Sequence, residues 1–289
     1  MQALFAQSLI GRGFCEQLLS SKYFPSSVNA FDQPLGIKRT SVSNTADKGT
    51  LYVVATPIGN LADISERALQ VLSEVGALAC ENTNHTTRIF HRHGLKKPKT
   101  TFSCNEHNEA RVVPRILGLL NAGISVALCS NAGAPGVSDP GYKVISAVHE
   151  SGGKVTMIPG PSAAIAALVS SGLPLTSFTF KGFPPRKQGR RRKYLELDAE
   201  LPHTLVFFES PLRVSRFLAE ALEVYGDRDA AVCIELTKLF EEVHRGTLNG
   251  LASEFENKAI KGEVTVVIAG DKRKGNREQI DRDDGPEDS

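Results

Sequence analysis

Several features are missing from this chain, and each absence closes off a class of function. No apolar run approaches the roughly 20 residues that a membrane-spanning helix needs. The five cysteines (Cys15, Cys80, Cys104, Cys129, Cys233) are odd in number and widely scattered, which suits reduced thiols better than a disulfide framework. Charge is nearly balanced at a net +2, so bulk charge implies no nucleic-acid partner and any such case must rest on local clusters. No glycine fingerprint of the G-x-G-x-x-G type follows an apolar run, which argues against a dinucleotide-binding fold. His85, His91, His93, Cys104 and His107 match no zinc spacing, so no metal is expected.

Among 289 residues, 41% are hydrophobic and 23% charged, the composition of a folded protein with more than one domain. The first 49 residues differ from the rest. Residues 1–31 hold one acidic residue, Glu16, with Arg12, Lys22 and several serines, a pattern shared by organelle transit peptides and by disordered extensions. Residues 271–289 are charged, almost without apolar side chains, and are expected to be a disordered tail.

From Leu51 to about Gly172 short apolar runs alternate with helical periodicity. Strands are expected at Leu51–Thr56, Ala77–Cys80, Ser125–Cys129 and Lys154–Ile158. Helices are expected at Ile64–Val75, His85–His93, His107–Asn121 and Tyr142–Ser151. Such alternation predicts an α/β domain with a mostly parallel sheet over residues 50–174, and a ligand site at the carboxyl ends of its strands. Three of those ends carry glycine and proline: "TPIGN" after the first strand, "SNAGAPGVSDPG" after the third, "PGPSAA" after the fourth. Any one could be a mere turn, but three on one edge point to a ligand. Within the last of them, Pro161 suits a helix's first turn and Ser162 its cap. Beyond "SGLPLTSF" the strands and helices fit a second α/β domain, residues 175–270, with a partly antiparallel sheet.

Six segments, "ATPIGNLADI", "NAGAPGVSDPGY", "PGPSAA", "FFESPLR", "ELTKLFEEVHRGTL" and "KGEVTVVIAG", occur in the order and spacing of one family. In them the chain resembles the bacterial ribosomal RNA small-subunit methyltransferase I family of the tetrapyrrole-methylase superfamily, class III S-adenosylmethionine-dependent methyltransferases. The resemblance implies a two-domain fold with S-adenosylmethionine in a cleft between the domains, a homodimer, and 2′-O-methylation of a cytidine in small-subunit ribosomal RNA. Its location would be the cytoplasm of a bacterium, or an organelle matrix or stroma if the N-terminal segment is a transit peptide. Two alternatives stay open: a catalytically weakened relative that still binds RNA or the ribosome, and a methyltransferase for a small tetrapyrrole-type molecule.

The donor is expected at Pro57, Gly59, Asn60, Asn131, Gly133, Ala134, Pro135, Pro161 and Ser162, where compact residues let backbone approach a ligand. A ribose hydroxyl is a weak acid, so a base is sought among Glu209, Glu235, Lys238, His107 and Glu109. The run Arg186, Lys187, Arg190, Arg191, Arg192 and Lys193 suggests phosphate contacts, and nearby Phe183 a surface on which a splayed base could stack. The chain departs from the family pattern at Asn82, Asn84, Asn131, Ala134 and Ile234. Two carboxylates there become amides, two arginines are lost, and a hydroxyl becomes a methyl, changes that could weaken donor binding.

Overall fold

The computed structural model describes residues 49–271, which form two five-stranded sheets. The extension and the charged tail expected at the two ends lie outside these residues, apart from the residues at their inner edges.

The first sheet is wholly parallel, in the order β3-β2-β4-β1-β5. Its strands are β1 (Thr50–Val54), β2 (Ala77–Cys80), β3 (Thr100–Ser103), β4 (Val126–Cys129) and β5 (Lys154–Ile158). Alternation along β1 decides how it is covered. Leu51 and Val53 point to one face, where α3 (Glu109–Asn121) and α4 (Tyr142–Glu150) supply Ile116, Leu120, Val144 and Val148. Val54 points to the other face, where α1 (Glu66–Glu74) and α2 (Thr83–Arg92) supply Val71, Leu72, Ile89 and Phe90. A parallel sheet covered on both faces reads as continuous apolar runs, and β2 and β4 are buried at every position.

The strand β3 is the one element of this sheet that periodicity did not reveal. "TTFS" buries only Phe102 fully, so it carries little apolar signal at the sheet's edge.

The second sheet is mixed, in the order β6-β7-β10-β8-β9. It contains β6 (Phe178–Gly182), β7 (Thr204–Glu209), β8 (Asp229–Ile234), β9 (Glu242–Thr247) and β10 (Val264–Ile268). Only the β6–β7 pair is parallel. One face packs on Leu195 of α6 (Gln188–Glu196), Phe217, Leu218 and Ala221 of α7 (Val214–Tyr225), and Leu248, Leu251 and Phe255 of α8 (Leu248–Phe255). The helix α8 was not foreseen. Its eight residues follow Thr247, whose hydroxyl accepts the Gly250 N–H as a cap.

The other face of this sheet is covered by the helix that follows the last strand of the first sheet. Helix α5 (Ala163–Ser171) follows β5, and its Ala164, Ala167 and Leu168 pack on Val206, Cys233 and Val267. Small residues at 164 and 167 let the helix lie close to the strands. α5 therefore locks the two sheets together, and its amino end points into the space between them. Ser162 occupies the cap position of this helix, but it makes no side-chain cap bond, contrary to expectation.

Candidate active site

The ends of β1, β4 and β5 meet the ends of β7 and the start of β10 around a cavity of about 360 Å³, within the usual size of small-molecule sites. Loops of the first sheet contribute Ile58, Gly133, Ala134, Ser138, Asp139 and Ser162, and the second sheet contributes Phe183, Phe208, Glu209, Pro211 and Glu263.

Backbone shapes the first sheet's side of this wall. Thr56 and Gly133 exchange two N–H···O bonds, at 2.9 and 3.0 Å, which staple the loop after β1 to the loop after β4. Gly133 has φ of +70°, a conformation that favours glycine. The Ser130 hydroxyl donates to the carbonyls of Ala132 and Gly133, and Thr56 donates to the Ser130 carbonyl. Pro135 lies buried behind the turn.

Gly59 has a packing role as well as a place at the expected ligand loop. A Cβ there would lie 2.5 Å from Cγ of Lys238 and 2.7 Å from the Thr237 hydroxyl, so its smallness lets the loop after β1 abut residues 236–238. That second loop is strained: Glu235 and Thr237 hold φ of 52° and 68°, and with Ser138 at 60° they are the non-glycine residues of positive φ among those described. Lys238 Nζ clasps Glu235 Oε1 at 2.6 Å and Glu263 Oε2 at 3.0 Å, while the Glu263 N–H donates to Glu235 Oε1. Under this clasp lies a second hollow, of about 340 Å³, lined by Pro57, Gly59, His85, Arg88, Asn131 and Lys238. It shares Ile58, Ala132 and Glu263 with the first.

The expected donor residues are thus divided. Gly133, Ala134 and Ser162 line the first cavity, and Pro57, Gly59 and Asn131 line the second. Pro161 lends its carbonyl beside Gly133. Asn60 is exposed and caps a 3-10 turn at Leu61–Asp63 by accepting the Ala62 N–H.

Of the residues considered as a base, Glu209 lines the first cavity. Its Oε1 accepts from the Ser210 N–H and pairs with Arg213 at 2.5 Å, while Oε2 is buried without a partner. Burial raises its pKa, opposed by the Ser210 N–H and by Arg213. Glu235 and Lys238 are spent on the clasp. His107 is exposed, lines neither hollow, and lies in the turn closed by Asn105. Glu109 is structural: it is buried and accepts N–H groups of Gly141, Lys143 and Val144, holding the amino end of α4.

Asp139 was not singled out from sequence, although it stands in the "SDPG" turn. It lines the cavity, and its carboxyl is pushed up to about 6, chiefly by burial and then by the charges of Glu81 and Glu263, with a Ser130 hydrogen bond opposing. Asp139, Glu209 and Glu263 make every ionisable group on this wall acidic. Glu209 is paired with Arg213 and Glu263 with Lys238, so Asp139 is the one of the three with no ion pair among the described residues and is the group best suited to a cationic ligand.

The cation run also divides. Arg191 does not face solvent: it is 2% exposed and forms a bidentate pair with Glu220, both bonds 2.6 Å, so it is removed from the phosphate-contacting set. The reason is helix phase, since α6 packs its 191 and 195 positions inward. Arg192 is exposed but pairs with Glu196 and Glu223. Arg186, Lys187, Arg190 and Lys193 are exposed and form no ion pair among the described residues. Among those residues, no group of three or more histidine, cysteine, aspartate or glutamate side chains could hold a metal ion. Among the described residues, no helix is long and apolar enough to cross a membrane.

Residues 50–252 match the family described as Tetrapyrrole (Corrin/Porphyrin) Methylases, about 70% of the chain's length. The chain belongs to the tetrapyrrole methylase family. Family membership makes it an S-adenosylmethionine-dependent methyltransferase, as the motifs implied. It is similar to the Ribosomal RNA small subunit methyltransferase I of Mesorhizobium japonicum, 46% identical over 220 residues that cover 75% of this chain and 74% of that one. The protein of the same name from Thermotoga maritima is 43% identical over 222 residues, covering 77% and 99%. Solved tetrapyrrole methylases share the fold. A cobalt precorrin-4 methyltransferase aligns with TM-score 0.59 at 14% identity, over 79% of this chain and 98% of that one. A uroporphyrin-III C-methyltransferase from Thermus thermophilus, complexed with S-adenyl homocysteine, aligns with TM-score 0.55 at 18% identity, over 76% and 97%.

Two departures from the family pattern have defined local bonding. The Asn82 side chain caps α2 by accepting the N–H groups of Asn84 and His85, a task that asparagine and aspartate perform alike. Asn131 is fixed by its backbone, whose N–H donates to Glu81 Oε2 at 3.1 Å. Its side-chain Oδ1 is buried and unpartnered at the second hollow, an acceptor open to a ligand.

Proposed function

We propose that this tetrapyrrole methylase transfers a methyl group from S-adenosylmethionine to a ribose 2′-hydroxyl of a cytidine in small-subunit ribosomal RNA. The observation that carries the reading is the acidic cavity beside a cluster of unpaired cations, in a chain 46% identical to a protein named for ribosomal RNA. When bound, S-adenosylmethionine supplies an activated methyl group. The residues that would hold it are Gly133, Ala134 and Ser162 on one side and Glu209, Pro211 and Gly262 on the other, with Asp139 complementing its positive charge.

Alignment and exclusion of water are the chain's main contributions to such a transfer. The stapled turn at Thr56–Gly133 fixes the first sheet's side of the cavity and the Lys238 clasp fixes the second sheet's side. We assign the receipt of the hydroxyl proton to Asp139, which lines the cavity with a carboxyl that is ionised at neutral pH. Arg186, Lys187, Arg190 and Lys193 would contact phosphates.

In this reading the two sheets are the centres of two domains that meet near residue 174. The working assembly is a homodimer, supported by exposed Met157 on β5 and exposed Ile165 and Val169 on α5. The enzyme acts where small-subunit RNA is found, in a bacterial cytoplasm or, if residues 1–49 include a transit peptide, an organelle matrix or stroma.

Mass mapping of ribose methylation on small-subunit RNA, with and without the protein and S-adenosylmethionine, tests the function. A single new 2′-O-methylcytidine is expected. Methylation of a tetrapyrrole with none on RNA would overturn the reading.

A further inference from the structure

Strand β6 is paired with β7 through a bulge. Phe180 lies opposite Val206, yet Gly182 lies opposite Phe207, so Lys181 is the extra residue. Side chains alternate along a strand, and without the bulge Phe180 and Phe183 would point to opposite faces of the sheet. With it, and with Gly182 at φ of +62°, the parity is reset and Phe183 joins Phe180 on one face. Both rings then pack on Phe208, with centroids 4.9 and 5.4 Å from it. Phe208 and Phe183 line the first cavity, but Phe183 remains 57% exposed, an aromatic face left open at its mouth. The next residues along the chain are Pro184, Pro185, Arg186 and Lys187, followed by Arg190 and Lys193 on α6. An exposed ring at a cavity mouth, followed at once by unpaired cations, is the arrangement that single-stranded nucleic acid recognises.

We propose that Phe183 is the stacking platform for the target nucleobase of a single-stranded RNA segment, which it holds at the cavity mouth while the neighbouring cations take the flanking phosphates. This rests on the functional reading above. The same ring could in principle stack on the donor's adenine, and the two sources of a nucleobase give different results in the test.

Three measurements on the full chain and on Phe183→Leu and Phe183→Tyr separate the outcomes: hexacytidylate binding by fluorescence anisotropy, S-adenosylmethionine binding by calorimetry, and KM and kcat for methyl transfer to small-subunit RNA. A thermal melt checks that each variant is folded. Stacking on an aromatic is worth about 1–3 kcal/mol per base, so Phe183→Leu should weaken hexacytidylate binding and raise KM roughly 5- to 100-fold. Donor affinity should stay within about twofold, and Phe183→Tyr should restore RNA binding. A matching loss of donor affinity would place the ring on the donor and overturn the platform, as would unchanged RNA binding in Phe183→Leu. If the unaltered protein binds hexacytidylate but methylates no RNA, the functional reading fails and the platform survives. If it binds neither, both fall.

Discussion

The two sheets contribute to the site in opposite ways. Loops of the first are rich in glycine, proline, alanine and serine and shape the cavity largely with backbone, through the Thr56–Gly133 staple, the turn at Gly133 and the amino end of α5, with Asp139 as their one ionisable group on the wall. The second sheet contributes large or charged side chains, namely Phe183, Phe208, Glu209 and Glu263, together with the cations of α6. The difference follows from strand environment. A parallel sheet buried on both faces has no room for charge except where its loops emerge. The second sheet places charged side chains where its strand ends and loops reach the rim of the cavity. Rigidity therefore comes from one side and recognition from the other.

The largest expected effect would show that one cation of α6 belongs to structure and not to recognition. Arg191→Ala leaves Glu220 buried without its bidentate partner, with Arg216 at 3.3 Å as its remaining cation, and should cost about 3 kcal/mol, measured by denaturant unfolding. The salt dependence of RNA binding should not change in the surviving folded fraction. A changed salt slope would return Arg191 to the recognition surface.

Next comes the backbone side. Gly133→Val forces a β-branched residue into φ of +70° and should cost about 1–3 kcal/mol while abolishing donor binding. The loss of stability comes from the positive φ and is separate from the block at the site. A melting temperature equal to that of the unaltered protein would refute this.

On the recognition side, replacing Arg186, Lys187, Arg190 and Lys193 together by alanine should reduce the slope of log affinity against log salt by about 0.7 for each phosphate these cations neutralise. Stability should hardly move, since none of the four is ion-paired. An unchanged slope would take RNA contact away from α6.

Asp139 sharpens the comparison through pH. Its folded carboxyl lies at about 6 against an ordinary 3.8, so the folded protein holds this proton more tightly than the unfolded chain does. The group's contribution to stability is therefore complete below 3.8 and lost as pH rises to about 6. A cationic donor prefers the ionised form, so its affinity should rise between pH 5 and 7, and Asp139→Asn should flatten that rise. A titration equally steep in the variant would assign the effect to Glu209, whose carboxyl burial also pushes up.

The smallest effect concerns Asn82→Asp, which exchanges one good helix cap for another and should alter stability by a few tenths of a kcal/mol. A severalfold change in donor affinity would reveal a direct part for residue 82 in the site.

Apolar periodicity by itself determined the first sheet's β1, β2, β4 and β5 and the helices between them, because these segments are buried in patterns with a fixed repeat. Gly/Pro composition also marked the loops that meet at the cavity. It did not show that Gly59 is small to admit a neighbouring loop, because that neighbour lies far along the chain. Tertiary structure alone decided that α5 covers the second sheet, that Arg191 turns inward, that Glu109 is a helix cap, and that one bulged residue brings Phe183 to the cavity. Each of these depends on which side of an element meets which partner. Local sequence sets the period of an element, while packing against distant residues sets its phase.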